Sequence, residues 1–144
     1  MARLLVDGYN AIRRIERLLE AELGGLEAGR DALLLALEEY GAATGMEITV
    51  VFDAGGRPPE GDALQSRERF AGVDVIYSRR GQSADFEIER MLDDYSKERK
   101  ESPYDLILVT DDLGLKDAAI GCGAFVASPR ELERAMDESC PLPY

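Results

Sequence analysis

The amino-acid sequence predicts an α/β fold, in which a mainly parallel sheet of about five strands is flanked by helices. Short, continuous apolar segments alternate with longer segments in which apolar residues recur at helical spacing. Continuous apolar strands are typical of a parallel sheet covered on both faces, and strands that alternate with helices form right-handed βαβ units. The chain has 144 residues, of which 45% are hydrophobic, so we expect a single domain over residues 1–144.

The N-terminal half contains two of the predicted strands. Its elements are, in order, a strand at 3–6 that stops at Asp7-Gly8, a helix from about Ile12 to Gly24, a helix over roughly 29–44 that Gly45 closes, and a strand at 46–52. The second of these strands is β-branched and apolar at its end, which makes it the clearest strand of the chain. A loop rich in Gly and Pro follows at 53–61.

The C-terminal half contains the other three predicted strands. Its elements are a strand at 73–77, a helix that Ser83 caps and that runs to about Lys100, a strand at 106–110, a helix to about Gly121, a short strand at 124–126 and a last helix beginning near Ser128-Pro129. We find no internal repeat or long linker between these elements.

The composition excludes several classes of chemistry. The chain contains no histidine, which rules out Ser-His-Asp and Cys-His triads, paired-histidine ribonuclease chemistry and histidine-containing zinc sites. Its formal net charge of −12 argues against unaided tight binding to nucleic acid, whose affinity comes mainly from neutralising phosphates. No apolar segment is long enough to cross a membrane, and we expect a soluble, cytoplasmic protein whose two cysteines are reduced.

Acidic residues follow the predicted strands at the points where they end. Asp7 ends the first strand, Asp53 the second and Asp111-Asp112 the fourth, while Asp85 opens the helix after the third, with Glu89 one turn further on. Any one of these acids is explained equally well by turn or helix-start chemistry. As a set they meet at one edge of a parallel sheet, where repelling carboxylates favour a bound cation. Oxygen ligands without nitrogen or sulfur favour Mg²⁺ or Mn²⁺.

Basic residues near the same strand ends are candidates for substrate binding. Arg13, Arg57, Arg79 and Arg80 lie shortly after strand ends or just before the Asp85 helix, where they could hold a phosphate backbone, although solvated positions explain them as well. Tyr9 could stack on a base or pack against the sheet.

The segment Leu4-Leu5-Val6-Asp7-Gly8-Tyr9-Asn10 resembles the opening motif of the NYN domains, which are PIN-like nucleases, and most of all the bacterial YacP-like branch. Further segments fit that branch in order along the chain: Val50–Asp53, Val75–Ser78, Ser83–Asp85 with Ile88-Glu89, Val109–Asp112, Gly123-Ala124 and Ser128–Leu132. The resemblance therefore spans almost the whole chain.

This resemblance implies a PIN-like fold and metal-dependent endonucleolytic cleavage of RNA, with mRNA on the translating ribosome as the substrate of the branch. The metal ligands that it implies are Asp7, Asp85 and Asp112, with Asp53 as a ligand directly or through water. Asn10 would orient Asp7 or contact the substrate phosphate. Asp111 stands where the branch often has serine, and the resemblance leaves its role open.

Two other functions agree with the same residues. A Mg²⁺-dependent phosphatase with an aspartyl nucleophile also places Asp at the end of the first strand, but it normally has a second Asp two residues later, where this chain has Tyr9, and Lys116 is only a loose match to its lysine. A non-catalytic PIN-like module that binds a ribosomal or other protein partner is the other alternative, which the retention of all four aspartates disfavours.

Overall fold

The computed structural model describes residues 2–53, 66–70, 72–79, 81–101 and 103–142. Within these residues, six strands form one sheet: β1 (Ala2–Asp7), β2 (Glu47–Phe52), β3 (Ser66–Phe70), β4 (Val73–Tyr77), β5 (Asp105–Val109) and β6 (Phe125–Ala127). The helices are α1 (Gly8–Arg14), α2 (Glu16–Glu22), α3 (Leu26–Thr44), α4 (Ala84–Glu98), α5 (Leu113–Gly121) and α6 (Pro129–Glu138). None of the described helices is both long and apolar enough to cross a membrane.

The sheet has the strand order β3-β4-β2-β1-β5-β6. All neighbouring strands are parallel except β3 and β4, which are antiparallel. The predicted α/β class with about five mainly parallel strands is therefore confirmed. From β1 the chain proceeds outward to β2 and β4 on one side, then returns through α4 to β5 on the other side, so the strand order reverses beside β1. In open α/β sheets ligands bind at the carboxyl ends of the strands near such a reversal.

One of the six strands, β3, was not predicted from the sequence. It has the sequence Ser-Arg-Glu-Arg-Phe, which lacks the apolar run that marks the parallel strands. It lies at the edge of the described sheet, and charged residues are common in edge strands because they oppose pairing with another molecule. Only pairing with β4 identifies this segment as a strand.

Two apolar layers cover the sheet, one on each face. Side chains of a strand alternate between the faces, so that Leu4 and Val6 pack with α1, α2, α3 and α6, whereas Leu5 packs with α4 and α5. This alternation places Asp7, two residues after Leu5, on the α4 and α5 side.

The prediction of one helix from about Ile12 to Gly24 is wrong, since the chain forms two helices, α1 and α2, in its place. Ile15 separates them with an extended backbone (φ −105°, ψ 113°), and its side chain is fully buried. The apolar spacing continues across this residue, so the periodicity of the sequence does not reveal the break. The predicted helix at 29–44 begins three residues earlier, at Leu26, and ends as predicted at Gly45, which has a positive φ of 75°. The predicted cap of α4 is also observed, since the Ser83 side chain accepts a hydrogen bond from Phe86 N.

Candidate active site

Asp7 lies at the carboxyl end of β1 and is the most buried of the candidate acids, with 7% of its surface exposed. Its Oδ2 accepts a hydrogen bond of 2.9 Å from the hydroxyl of Thr110, which follows β5. Burial raises the pKa of Asp7 from 3.8 to about 6; the Thr110 hydrogen bond and Arg13 oppose the rise, and the charges of Asp85 and Asp112 add to it. Asp7 is thus a carboxylate that a cation would stabilise.

Asp112 belongs to the same network through Thr110. Its backbone N–H donates to Thr110 Oγ1 (3.1 Å), and its Oδ1 accepts from Leu115 N (2.9 Å), which caps the N-terminus of α5. The helix cap fixes the direction of the Asp112 carboxylate, and among the described residues its Oδ2 has no hydrogen-bond partner. Asp112 therefore serves as a helix cap and retains a second oxygen for other ligands.

Asp85 is the second residue of α4, and its carboxylate is exposed to solvent. Partial desolvation contributes most to a raised pKa of Asp85, followed by the charges of Asp112, Glu89 and Asp53. Asp53 follows β2 directly and is half-buried. The acids that the sequence placed at separate strand and helix ends thus influence one another electrostatically across the edge of the sheet.

Asn10 forms a hydrogen bond to the segment that follows β5. Its Oδ1 accepts a hydrogen bond of 2.9 Å from the backbone N–H of Asp111, and the described residues show no hydrogen bond between Asn10 and Asp7. This bond joins the first turn of α1 to the segment that carries Asp112. Asn10 therefore holds the two sides of the site together through the backbone, and a contact between its amide nitrogen and substrate stays a prediction.

Asp111 forms ion pairs with two basic side chains. Its Oδ2 lies 3.7 Å from Arg14 Nε, and its Oδ1 lies 3.6 Å from Lys116 Nζ. Both of its oxygens are thus engaged by positive charges, unlike those of Asp7 and Asp112.

The candidate substrate-binding arginines differ in their surroundings. Arg13 is exposed, lies over the ring of Tyr9 with its guanidinium 5.4 Å from the ring centroid, and lowers the pKa of Asp7. Arg79 is half-buried, and its Nε has no hydrogen-bond partner among the described residues. Arg57 and Arg80, together with residues 54–61 of the loop predicted at 53–61, lie outside the described residues.

Tyr9 packs inside the protein. Its ring is 5.1 Å from that of Phe52, its hydroxyl accepts a hydrogen bond from Arg30 (2.9 Å), and only 9% of its surface is exposed. Of the two readings that the sequence allowed, packing against the sheet is therefore the observed one. Gly8 makes this packing possible, because a Cβ at that position would collide with the Phe52 ring.

A divalent cation fits the chemistry of these donors, although the side chains are not arranged as a closed ligand shell. In the part of the chain that the structure describes, no three acidic or thiol side chains stand close enough together to hold a metal ion. The donors are all carboxylates: the charges of Asp85 and Asp112 raise the pKa of Asp7, and the charges of Asp112 and Asp53 raise that of Asp85. Oxygen donors with surplus negative charge suit Mg²⁺ or Mn²⁺.

Thr110 is the member of the network that sequence reasoning missed. It is fully buried, and its hydroxyl donates to Asp7 while accepting from Asp112 N. Its position directly after an apolar strand was visible in the sequence, and alternation from Leu108 places it on the face of Asp7. The sequence predicted it only as the last residue of a strand.

Comparison with known proteins gives consistent results. The model of the YacP-like NYN domain matches residues 4–140. The YacP protein of Bacillus subtilis (strain 168) is 31% identical over 134 residues, which are 93% of this chain and 74% of that protein. Two crystal structures of Rae1 (YacP) from Bacillus subtilis are each 29% identical and cover 96% of this chain. The one of a tryptophan-to-leucine mutant superposes with a TM-score of 0.77 over 77% of its own chain, and the other with 0.74 over 75%.

Proposed function

Because this chain belongs to the YacP-like NYN domain family, a family of nuclease type, we propose that it is a metal-dependent endoribonuclease, acting as one domain, that hydrolyses RNA phosphodiester bonds. The observation that carries the proposal is the electrostatic coupling of Asp7 with Asp85 and Asp112, which come from three separate elements. Without a cation, mutual repulsion makes such an arrangement unfavourable. Family and electrostatics thus support the same chemistry.

The cation would be Mg²⁺ or Mn²⁺, held by Asp7, Asp85 and Asp112, with Asp53 as a ligand directly or through water. When bound, such a cation lowers the pKa of a water and stabilises charge on the leaving oxygen of a phosphodiester. The burial of Asp7 favours this role, since a desolvated carboxylate gains more from a cation than an exposed one does. Thr110 orients the Asp7 carboxylate, and the helix cap orients that of Asp112.

Substrate binding is assigned to side chains around the acids. Arg13 neutralises part of the charge near Asp7, which suits it to hold a phosphate of the RNA backbone. Asn10 and Arg79 each retain donors for the same purpose, and Arg57 and Arg80 stay predictions. Since the chain has no histidine, we expect products with 5′-phosphate and 3′-hydroxyl ends, and 2′,3′-cyclic phosphate ends would contradict this scheme.

The substrate we propose is mRNA on the translating ribosome, in the cytoplasm. The net charge of −12 supports delivery of RNA by a partner, because a chain with this excess of negative charge repels free RNA. Cleavage of naked RNA should therefore be weak and strongly dependent on salt, whereas a message held by the ribosome should be cut efficiently.

The test uses a 5′-labelled mRNA, free and in a stalled translation complex, incubated with Mn²⁺, Mg²⁺ or EDTA. We expect cleavage that requires the metal and is lost in Asp85→Asn. Asp94→Asn is the matched control, because Asp94 is an exposed acid of the same helix, outside the acidic site. A loss of activity in both variants would mean that α4 tolerates no change of charge, and the assignment of Asp85 would fall.

The alternatives give different outcomes in the same assays. Metal binding without cleavage of any RNA would favour a non-catalytic module that binds a ribosomal or other protein partner. Turnover of a chromogenic phosphomonoester would favour a phosphatase. The phosphatase is disfavoured by Tyr9, which is buried against Phe52 at the position where the second aspartate of such enzymes stands.

A further inference from the structure

Asp111 lies next to a candidate metal ligand in the sequence, but its carboxylate forms ion pairs with two basic side chains. It lies between Thr110 and Asp112, which both belong to the acidic network, and its backbone N–H is held by Asn10. Its side chain, however, lies between Arg14 and Lys116, at 3.7 and 3.6 Å. Two cations beside one carboxylate leave a local surplus of one positive charge, which would repel a metal ion at this point.

The two cations come from helices that cover opposite faces of the sheet. Arg14 is the last residue of α1, which follows β1, and Lys116 lies in α5, which follows β5. β1 and β5 are neighbours in the sheet, and their carboxyl ends carry Asp7 and Asp112. Lys116 is one helical turn after Asp112, and its backbone N–H donates to the Asp112 carbonyl at 3.0 Å. The cationic pair therefore lies at the same edge of the sheet as these acids.

The ion pairs of Asp111 are easily exchanged. Their distances exceed the 2.7–2.9 Å of tight charge-assisted hydrogen bonds. The side chain of Arg14 is 60% exposed and that of Lys116 is 29% exposed, so solvent and a ligand reach both. Solvent-accessible ion pairs of this kind contribute little to stability, and another anion can replace the carboxylate at little cost.

We propose that Arg14 and Lys116 bind a backbone phosphate of RNA beside the acidic site, and that Asp111 occupies the place of this phosphate in the RNA-free protein. A guanidinium and an ammonium group held on either side of one anion suit a phosphate as well as a carboxylate. This inference rests on the proposed function, because it takes RNA as the substrate. It also assigns Asp111 a role other than metal ligation.

The test measures the affinity of a fluorescently labelled single-stranded RNA by anisotropy at low salt in EDTA, where metal-dependent cleavage does not consume the probe. Arg14→Gln and Lys116→Gln should each weaken binding roughly tenfold, and each should lower the salt dependence of log affinity by about 0.7. The matched controls are Arg17→Gln and Lys97→Gln, because both residues are exposed and ion-paired elsewhere, with Asp137 and Asp93. The controls should stay close to the wild type.

Asp111→Asn gives a prediction of opposite sign, which a loss of folding cannot imitate. Removal of the competing carboxylate should tighten RNA binding by about fivefold, the equivalent of about 1 kcal/mol of released ion pairing. The affinity for Mn²⁺, measured by electron paramagnetic resonance, should not change in this variant, whereas Asp85→Asn should weaken it.

Several results would overturn the inference. The first is that the Arg14 and Lys116 variants bind RNA as tightly as their controls do. The second is that Asp111→Asn binds RNA or Mn²⁺ more weakly than the wild type does. The third is that neither the wild type nor Asp111→Asn binds RNA measurably. The proposed function fails separately. If the wild type cuts no RNA in any setting but the two cations are still required for RNA binding, the phosphate site stands and the nuclease does not. If the wild type cuts RNA and all variants behave as controls, only the phosphate site is wrong.

Discussion

Replacement of Asp7 by asparagine should stabilise the metal-free protein and abolish its response to metal. Asparagine keeps an oxygen that accepts the Thr110 hydrogen bond but carries no charge. The wild-type carboxylate is 7% exposed and close enough to Asp85 and Asp112 for their charges to raise its pKa. Its ionised form is thus unfavourable in the folded protein, and only a bound cation compensates for it.

The size of the effect follows from the pKa of Asp7, which burial raises from 3.8 to about 6. A tenfold change in proton affinity corresponds to about 1.4 kcal/mol, so the ionised carboxylate lowers the free energy of unfolding by roughly 3 kcal/mol at neutral pH. This pKa already includes the opposing effect of the Thr110 hydrogen bond. We expect a net gain of about 2–3 kcal/mol, or an increase in Tm of roughly 4–12 °C for a chain of this length.

The gain depends on pH in a defined direction. Because the pKa of Asp7 is higher in the folded than in the unfolded protein, the folded protein binds this proton more tightly between pH 3.8 and about 6. The contribution of Asp7 to stability therefore falls as the pH rises through this window and is constant above it. The advantage of the asparagine variant should be complete above about pH 6 and should decrease as the pH falls towards 3.8.

The assay is urea and thermal unfolding of the wild type and Asp7→Asn in EDTA at several pH values, repeated with Mn²⁺. Added Mn²⁺ should raise the Tm of the wild type but not that of the variant, because a ligand stabilises only the state that binds it. Asp31→Asn is the control, since Asp31 is an exposed acid on α3, and it should change neither the stability nor the response to Mn²⁺. The reasoning is refuted if Asp7→Asn is less stable than the wild type in EDTA at pH 7.5, or if its advantage does not decrease at lower pH.

Three further substitutions test the surroundings of the site. Thr110→Val removes the hydrogen bond that lowers the pKa of Asp7, so the pH at which Mn²⁺ binds half-maximally should rise. A pH titration followed by electron paramagnetic resonance would detect this rise, and an unchanged midpoint would contradict the role of the bond. Gly8→Ala places a methyl group against the Phe52 ring and should destabilise the protein by about 1–3 kcal/mol in urea unfolding; no loss would mean that the ring moves freely. Ser128→Ala removes the capping box of α6 and should cost about 1 kcal/mol of stability, without a change in RNA cleavage at temperatures where the variant is folded; an effect on cleavage would show that α6 contributes to the site.

The positions of the acids could be predicted because they follow from local patterns. An apolar run that stops at an aspartate marks the end of a buried strand, and the carboxyl ends of parallel strands meet at one edge. This reasoning located Asp7, Asp53 and Asp112, and the Ser83 cap located the start of α4 and with it Asp85. Each inference used only neighbouring residues and the general geometry of parallel sheets.

The connections among these acids could not be predicted in the same way. The hydrogen bond from Thr110 to Asp7 joins residues 103 positions apart, and that from Asp111 N to Asn10 joins residues 101 apart. Nothing local distinguishes Asp111 from Asp112, yet one pairs with Arg14 and Lys116 and the other caps a helix. The role of an acid in this site depends on which distant side chain meets it.

The sequence by itself thus determined the α/β class, the acids that follow the ends of the parallel strands, and the resemblance to the YacP-like family. These features depend on periodicity, turn residues and local motifs. Only the tertiary structure decided that Ser66–Phe70 is a strand, that Ile15 breaks the first helix, and that Thr110 links Asp7 to Asp112. The physical reason is that these features depend on contacts between residues far apart in the chain: pairing with β4 makes a polar segment a strand, and burial accompanies the break at Ile15.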